Sequence, residues 1–198
     1  MSPPRRTPET AEALRASLVD HARRLVAREG ADALTMRRLA GEAGCALGLP
    51  YKVFADRRDL VIALLRAELA SIRDDALALA ARAGTGTVGG NLAWFALRLL
   101  DSPAVALARE VIDDPTLAHA VTADAHGEVA GPTAFDVWFA EYLAAEQRAG
   151  RVQADVDVGA IGYLIAGAVH NLIVTGATHP RPGRERLAAV LAAVADRL

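Results

Sequence analysis

Helix-start signals constrain the fold of this chain more than any other feature of its sequence. A residue that can cap a helix stands directly before a proline at Thr7-Pro8, Ser102-Pro103 and Asp114-Pro115. The capping oxygen satisfies free amides of the first turn, where proline is tolerated because its missing N–H would have no helical partner. Apolar residues recur at helical spacing between these signals, and no stretch alternates with the period of two typical of strands. The sequence predicts an all-α fold of about nine helices.

The composition limits the class of protein. The chain has 198 residues, of which 53% are apolar, 23% charged and 5% aromatic, as expected of a globular helical protein. Its longest apolar segment, residues 160–176, is interrupted by His170 and Asn171 and falls short of the roughly 18 residues that span a bilayer. The first residues lack the apolar part of a signal peptide, and the single cysteine, Cys45, excludes an internal disulfide. We therefore expect a cytoplasmic protein.

Charge is distributed unevenly along the chain, although the net charge is only −2. Residues 1–60 hold 11 Arg and Lys against 8 Asp and Glu, whereas the remainder holds 11 against 16. A basic segment on an acidic remainder is typical of a polyanion-binding region, although a solvated basic face is the commoner explanation of such a segment.

Four helix segments are predicted in the first part of the chain. Gly30 ends the first, Thr35 caps the second, a short turn at Gly44 leads to the third, and Asp56 caps a long fourth helix. The second and third helices, joined by so short a turn, have the arrangement of a helix-turn-helix, in which the third helix lies in the major groove of DNA. We expect a DNA-binding domain in residues 1–55 (the head) and a helical ligand-binding and dimerisation domain in residues 56–198 (the body).

The segment LTMRRLAGEAGCALGLPYKVFADRRDL, residues 34–60, resembles the DNA-binding head of the TetR family of bacterial transcriptional repressors. The match has no gaps and includes Thr35, Leu39, Ala40, Ala43, Gly44, Cys45, Gly48, Tyr51, Phe54, Asp56, Arg57 and Leu60. The resemblance implies a homodimeric, ligand-responsive regulator, a repressor that a small apolar effector releases from a palindromic operator on double-stranded DNA.

Three residues depart from the family pattern in the third helix. Ala46 replaces the usual Ser or Thr cap, Pro50 an aliphatic residue, and Val53 an aromatic residue or histidine. Because proline is tolerated only in a first turn, we expect this helix to begin near Leu47 or Gly48. Few of its side chains can donate to a base edge, which predicts readout through apolar contacts and DNA shape. The DNA contacts predicted here are Thr35, Met36, Arg37, Ala46, Leu47, Gly48, Leu49, Tyr51, Lys52 and Arg57.

The body concentrates aromatic and polar residues that suit an effector pocket. The candidates for ligand contact are Trp94, Phe95, His119, Trp138, Phe139, Tyr142, His170 and Asn171. For any one of them, ordinary core packing is the competing interpretation. His119 and His126 can share one face of a helix, and Asp124 lies nearby in the sequence. No third ligand at helical spacing completes a metal site with the two histidines. We expect no cofactor and no catalysis, because no catalytic or nucleotide-binding motif is present.

Two apolar helix faces in the last part of the chain predict a homodimer. Gly159, Gly162, Gly167 and Ala168 allow close helix approach, and the final helix carries an apolar stripe. The predicted contacts are Tyr163, Gly167, Leu187, Val190, Leu191 and Val194, and burial within one protomer is the alternative. Two other functions remain open: a small-molecule-binding helical protein whose head has lost DNA affinity, and a helical enzyme supported only by its body histidines.

Overall fold

The computed structural model describes residues 8–122, 134–175 and 182–198. Within these ranges the chain forms ten α-helices and one short 3-10 turn, Ala31–Ala33, without a strand, which confirms the all-α fold. The helices are α1 (Pro8–Glu29), α2 (Met36–Glu42), α3 (Gly48–Val53), α4 (Arg57–Ala80), α5 (Val88–Asp101), α6 (Ala104–Asp113), α7 (Pro115–Thr122), α8 (Ala134–Arg148), α9 (Val158–Thr175) and α10 (Arg184–Ala195).

The helices of the head begin and end where the local signals predict. The Thr35 hydroxyl accepts from the amide of Arg38 at 3.2 Å, and a carboxylate oxygen of Asp56 accepts from the amide of Asp59 at 2.9 Å. Gly44, which ends the α2 segment, has a φ of 61°, in the left-handed region that side chains disfavour. The predicted capping residue Thr7 lies outside the described residues.

The long helix α4 belongs to two hydrophobic cores. Its first half packs Leu60, Leu64 and neighbouring residues against α1, α2 and the end of α3. Side chains of α6 and α7 complete this first core. The second half of α4 packs Ile72 and Leu79 against α5, α8, α9 and α10. One continuous helix of 24 residues therefore joins the head to the body.

Two pairs of helices in the body cross at close range because glycine stands at each crossing. A methyl group at Gly162 of α9 would lie 2.7 Å from the Ala140 amide nitrogen of α8. One at Gly89 of α5 would lie 2.5 Å from the Ala192 α-carbon of α10. These approaches leave no room for a larger residue, and they fix α8 against α9 and α5 against α10.

Candidate DNA-binding surface and effector cavity

Helix α3 accommodates its proline by starting late. It begins at Gly48, so that Pro50 occupies its third position, where the absent amide has no helical acceptor to reach. The Pro50 carbonyl still accepts from the amide of Phe54 at 2.8 Å, and that of Ala46 accepts from Leu49 at 2.9 Å. The expected shift in the start of this helix is therefore confirmed.

The outer side of α3 is exposed and largely apolar. Leu47 is 50% exposed and Tyr51 55%, and Lys52 beside them is also exposed. Pro50 and Phe54 face inward and are buried. The predicted DNA contacts that the structure leaves exposed are Thr35, Arg37, Ala46, Leu47, Gly48, Tyr51 and Lys52, while Leu49 is half-buried.

Two of the predicted DNA contacts have side chains engaged inside the protein. Met36 is buried in the head core. The Arg57 guanidinium donates to both carboxylate oxygens of Glu110 on α6, at 2.7 and 2.8 Å, and to the Leu34 carbonyl at 2.8 Å. Because these bonds occupy most of its donors, Arg57 holds the head to the body in this structure, and any DNA contact by its side chain would require breaking them.

Arg15 of α1 holds the end of α3, a role that the sequence pattern did not reveal. Its guanidinium donates to the Val53 carbonyl at 3.0 Å and to a carboxylate oxygen of Asp59 at 2.8 Å. It also lies over the ring of Phe54, 4.6 Å from the centroid. The guanidinium lowers the pKa of Asp59 below its usual value. Arg15 thereby joins α1, α3 and α4, although its partners Val53 and Asp59 are 38 and 44 residues away in the chain.

An apolar cavity of about 180 Å³ opens in the body. It lies between α4, α5, α6, α7, α8 and α9, and its polar lining consists of Ser102, Thr122 and His170. The remaining lining residues are apolar: Leu65, Leu69, Ile72, Leu99, Ala104, Val105, Ala108, Val111, Ile112, Ala118, Val121, Phe135, Ile173 and Val174. Of the eight residues predicted to bind an effector, the structure places His170 at this cavity.

The predicted aromatic residues form part of the body core. Phe95 and Phe139 are fully buried and meet edge to face, with ring centroids 5.2 Å apart. Trp94 and Trp138 are half-buried against them, and Arg82 stacks over the Trp94 ring at 4.1 Å. The structure therefore supports the core interpretation for these four side chains. His119 and Asn171 are exposed and are not among the residues that line the cavity.

Tyr142 belongs to a buried polar network at the turn between α4 and α5. Its hydroxyl donates to a carboxylate oxygen of Glu146 at 2.5 Å and accepts from the Asn91 side chain at 3.0 Å. The other oxygen of Glu146 accepts from the Gly84 amide at 3.0 Å and lies 3.5 Å from Arg151. Burial and the Glu146 carboxylate raise the pKa of Tyr142 far above its usual value. This network fixes the turn and leaves the Tyr142 hydroxyl engaged on both sides.

The predicted dimer residues divide into two groups. Tyr163 on α9 is 69% exposed, and Gly167 and Val190 are also exposed. Leu187 and Leu191 are buried in the body core on α10, which packs against α5 of the same chain, and Val194 is half-buried. The sequence left burial within one protomer open, and Leu187 and Leu191 have that environment here.

Helix α9 exposes three large apolar side chains, those of Tyr163, Leu164 and Val174. Leu164, 65% exposed, lies beside Tyr163, and Gly159, Ala160, Gly167 and Ala168 are exposed along the same helix. Its 18 residues have a mean hydropathy of 1.6 and only 22% of them are buried. By length and composition alone this helix is apolar enough to cross a membrane, contrary to the expectation from sequence, although one such helix is weak support for a span.

The histidines provide no metal centre within the described ranges. No group of three or more His, Cys, Asp or Glu side chains there is arranged to hold a metal ion. Two members of the set considered from the sequence, His126 and Asp124, lie outside the described residues.

Known proteins share both the head and the overall fold. Residues 18–64 match the profile of bacterial regulatory proteins of the TetR family. A stretch of 71 residues is 38% identical to the HTH-type transcriptional regulator BetI of Rhizobium meliloti. That stretch covers 36% of this chain and 35% of the relative, so the chain spans about a third of the length of the curated relative it matches.

Solved structures resemble the chain over nearly its whole length. A TetR-family regulator from Mesorhizobium loti superposes with a TM-score of 0.64 at 18% identity, covering 97% of this chain and 96% of the other. One from Cytophaga hutchinsonii superposes with a TM-score of 0.69 at 13% identity, covering 98% of each chain. At such identities these likenesses establish the fold, while the match over residues 18–64 identifies the head. Residues 18–64 therefore carry the N-terminal domain of bacterial regulatory proteins of the TetR family, and the chain as a whole has the fold of the solved TetR-family regulators.

Proposed function

We propose that this protein is a cytoplasmic, homodimeric transcriptional regulator, a repressor that a small apolar effector releases from a palindromic operator. The head, residues 1–55, binds DNA, and the body, residues 56–198, binds the effector and the second protomer. The observation that carries this proposal is the exposed outer side of α3, held on its inner side by Phe54 and Pro50. An exposed helix with an anchored back is the element that a helix-turn-helix protein inserts into the major groove.

The residues of α3 suit shape recognition with a cationic contact to the backbone. Leu47 and Tyr51 are exposed apolar and aromatic side chains, and Lys52 supplies a cation for a phosphate. Arg37 at the start of α2 adds a second exposed cation. Leucine has no donor for a base edge, so specificity rests on thymine methyl contacts and on the deformability of the site.

The exposed face of α9 supports dimerisation about a two-fold axis. Tyr163 and Leu164 expose large apolar surfaces, and Gly167 leaves space for close approach of another helix. Val137 on α8, the helix packed against α9, is also exposed. A second copy placed on this face makes a four-helix contact from α8 and α9 of each protomer, which differs from the α9 and α10 contact expected from sequence.

The cavity supports binding of an apolar effector close to the joint between head and body. Val111 of α6 and Val121 of α7 line the cavity and also pack in the head core. The Arg57–Glu110 ion pair attaches the same helix α6 to the first turn of α4. An effector that binds one arrangement of α6 more tightly shifts the population of head positions by that difference in affinity.

Fluorescence anisotropy with DNA flanking the protein's own coding region tests the proposal. We expect a specific site whose affinity falls steeply with salt, and Lys52→Ala should lower both the affinity and the salt slope. Arg148→Ala, which removes an exposed cation from the body helix α8, is the matched control and should change neither. Weak, sequence-independent binding would instead support the alternative function, a small-molecule-binding protein whose head has lost its affinity for DNA. Ala46 and Pro50 are the departures from the family pattern that motivate this alternative.

A further inference from the structure

A buried carboxylate connects the effector cavity to the head. Glu68 lies in the middle of α4 and is only 4% exposed. One of its oxygens accepts from Arg23 Nε of α1 at 2.5 Å, and the other accepts from the Ser102 hydroxyl at 2.8 Å. A carboxylate removed from water requires such partners, since an unpaired buried charge is strongly destabilising. Glu68 therefore ties the head helix α1 to a residue that lines the cavity.

The direction of these hydrogen bonds determines what the cavity can bind. Glu68 accepts from both sides, so the Ser102 proton is committed to it. The Ser102 oxygen also accepts from the Ala104 amide at 3.2 Å and retains acceptor capacity. A ligand that donates a hydrogen bond to Ser102 extends the chain without breaking it. A ligand that accepts a hydrogen bond from Ser102 would have to draw the hydroxyl proton away from its bond to Glu68. An anionic ligand would add a second negative charge beside that carboxylate.

The other two polar residues of the cavity have different surroundings. The Thr122 hydroxyl donates to carbonyls of its own helix, those of Ala118 at 3.1 Å and His119 at 3.2 Å. His170 lies on α9 and is exposed. Among the described lining residues, Ser102 is thus the one whose hydroxyl donates to an ionised group on another helix.

The size of the cavity limits the ligand further. Its volume of about 180 Å³ lies below the range of about 300–1,000 Å³ that is common for drug-sized ligands. It is comparable with an apolar cavity of about 150 Å³ that admits benzene. One aromatic ring, or an aliphatic group of that size, fits it.

We propose that the cavity binds a small, neutral, mainly apolar molecule whose hydrogen-bond donor rests on Ser102, and that Glu68 and Arg23 transmit this contact to α1. The inference rests on the proposed function, because it names the class of effector and the route from cavity to head. Ser102 is a specificity-determining residue, and Glu68 is a positioning residue that acts through it.

The ligand class is tested with three probes of similar size: phenol, toluene and benzoate. Calorimetric titration of the full-length protein should show phenol binding about two- to tenfold more tightly than toluene, as one added hydrogen bond allows, with benzoate weakest. Ser102→Ala should abolish the preference for phenol and leave toluene binding unchanged. Ser102→Thr, which keeps the hydroxyl, should retain the preference, and so should Thr122→Val, which removes the other hydroxyl of the cavity.

Equal binding of phenol and toluene to the unmodified protein would overturn the assignment of Ser102, as would benzoate binding most tightly. Failure of all three probes to bind would overturn the assignment of the cavity to ligands of this class. None of these titrations depends on DNA binding. Failure to bind an operator would therefore contradict the proposed function without affecting the ligand measurements, and failure of the ligands to bind would not affect the DNA measurement.

Hydrogen exchange tests the transmission to the head. Saturating phenol should slow amide exchange in α1 around Arg23, because a fixed Ser102 restricts Glu68 and its partner. Glu68→Gln keeps the shape but weakens the bond to Arg23, and it should remove this response. Asp75→Asn is the matched control, since Asp75 is another α4 carboxylate paired with an arginine, Arg98 at 2.9 Å, away from the cavity. An unaltered response in Glu68→Gln, or none in the unmodified protein, would overturn the route.

Discussion

Arg57 and Glu110 form a two-pronged ion pair between the first turn of α4 and the middle of α6, with N–O distances of 2.7 and 2.8 Å. The same guanidinium reaches the Leu34 and Ala31 carbonyls at 2.8 and 3.3 Å. From the start of α4, this one cation thus contacts both the segment before α2 and helix α6 of the body. Movement of α6 relative to the head must strain or break these bonds.

Replacing Glu110 by Gln should weaken the attachment of α6 to the head. We expect the free energy of unfolding to fall by about 0.5 kcal/mol, a small loss because the pair is partly exposed and screened by water and salt. Urea denaturation at low and high salt measures it, with the larger loss at low salt. Asp113→Asn disrupts an exposed ion pair on the same helix and should change the stability less. Equal effects of the two variants would show that the Arg57 contact adds nothing beyond a surface pair.

Removing the Tyr142 hydroxyl should destabilise the body. Tyr142→Phe takes a donor from the buried Glu146 and an acceptor from Asn91, and we expect a loss of about 1.5–3 kcal/mol. Thermal and urea unfolding measure the loss. Tyr51→Phe removes a hydroxyl from an exposed tyrosine and should leave the stability unchanged. A loss below about 0.5 kcal/mol for Tyr142→Phe would mean that water replaces the missing donor.

Alkaline pH should act on the same hydroxyl. The pKa of Tyr142 is raised in the folded protein by burial and by Glu146, whereas its ordinary value is 10.0. The neutral form is therefore favoured by folding. Its contribution to stability is complete below pH 10 and declines as the pH rises above that value, where the unfolded chain loses the proton first. We expect the free energy of unfolding to decline between about pH 9 and pH 11, which is roughly one unit on either side of the pKa of an unfolded tyrosine. The decline, measured from unfolding curves, should be shallower in Tyr142→Phe.

A charge on the exposed face of α9 should prevent dimerisation. Leu164→Asp would place two carboxylates at a symmetric interface, and we expect the dissociation constant of the dimer to rise at least about tenfold. Sedimentation velocity across a concentration series measures it. Leu77→Asp alters an equally exposed leucine on α4 and should leave the assembly unchanged. If both variants remain dimeric, the contact between protomers lies elsewhere.

Filling the cavity should remove ligand binding while preserving the fold. Ala108 on α6 lines the cavity, and Ala108→Leu occupies part of its volume with apolar atoms. We expect phenol affinity to fall more than about tenfold while stability changes by less than about 1.5 kcal/mol. Ala106→Leu on the exposed side of the same helix is the control. Unchanged phenol binding in Ala108→Leu would place the bound probe outside this cavity.

Local features were predictable from the sequence because their causes are local. Thr35 and Asp56 cap helices through amides three residues away, and Pro50 requires α3 to begin at or after Leu47. Features that join distant segments were not. Glu110 lies 53 residues from Arg57, and no pattern around Arg57 distinguishes a phosphate contact from an internal ion pair.

The cavity also escaped prediction for a physical reason. Its lining comes from six helices and is mainly aliphatic, whereas the aromatic residues that suggested a pocket fill the core. Aromatic side chains are the largest apolar groups and are used to fill space, so their clustering indicates packing as readily as a site. Likewise the apolar stripe of α10 gave no sign that Leu187 and Leu191 pack against α5 of the same chain.

The sharing of α4 between two cores has a consequence for exchanging heads among relatives. A chimera joined at residue 55 would retain Glu68 from this chain while discarding Arg23, the cation that it binds. The transplanted head would then meet a buried carboxylate without its cation, at a cost that no match in helix lengths can offset. Only a relative whose head has a cation at the position of Arg23 is compatible with this body. A new pairing of DNA recognition with effector recognition therefore depends on the sequence of α1 as well as on that of α3.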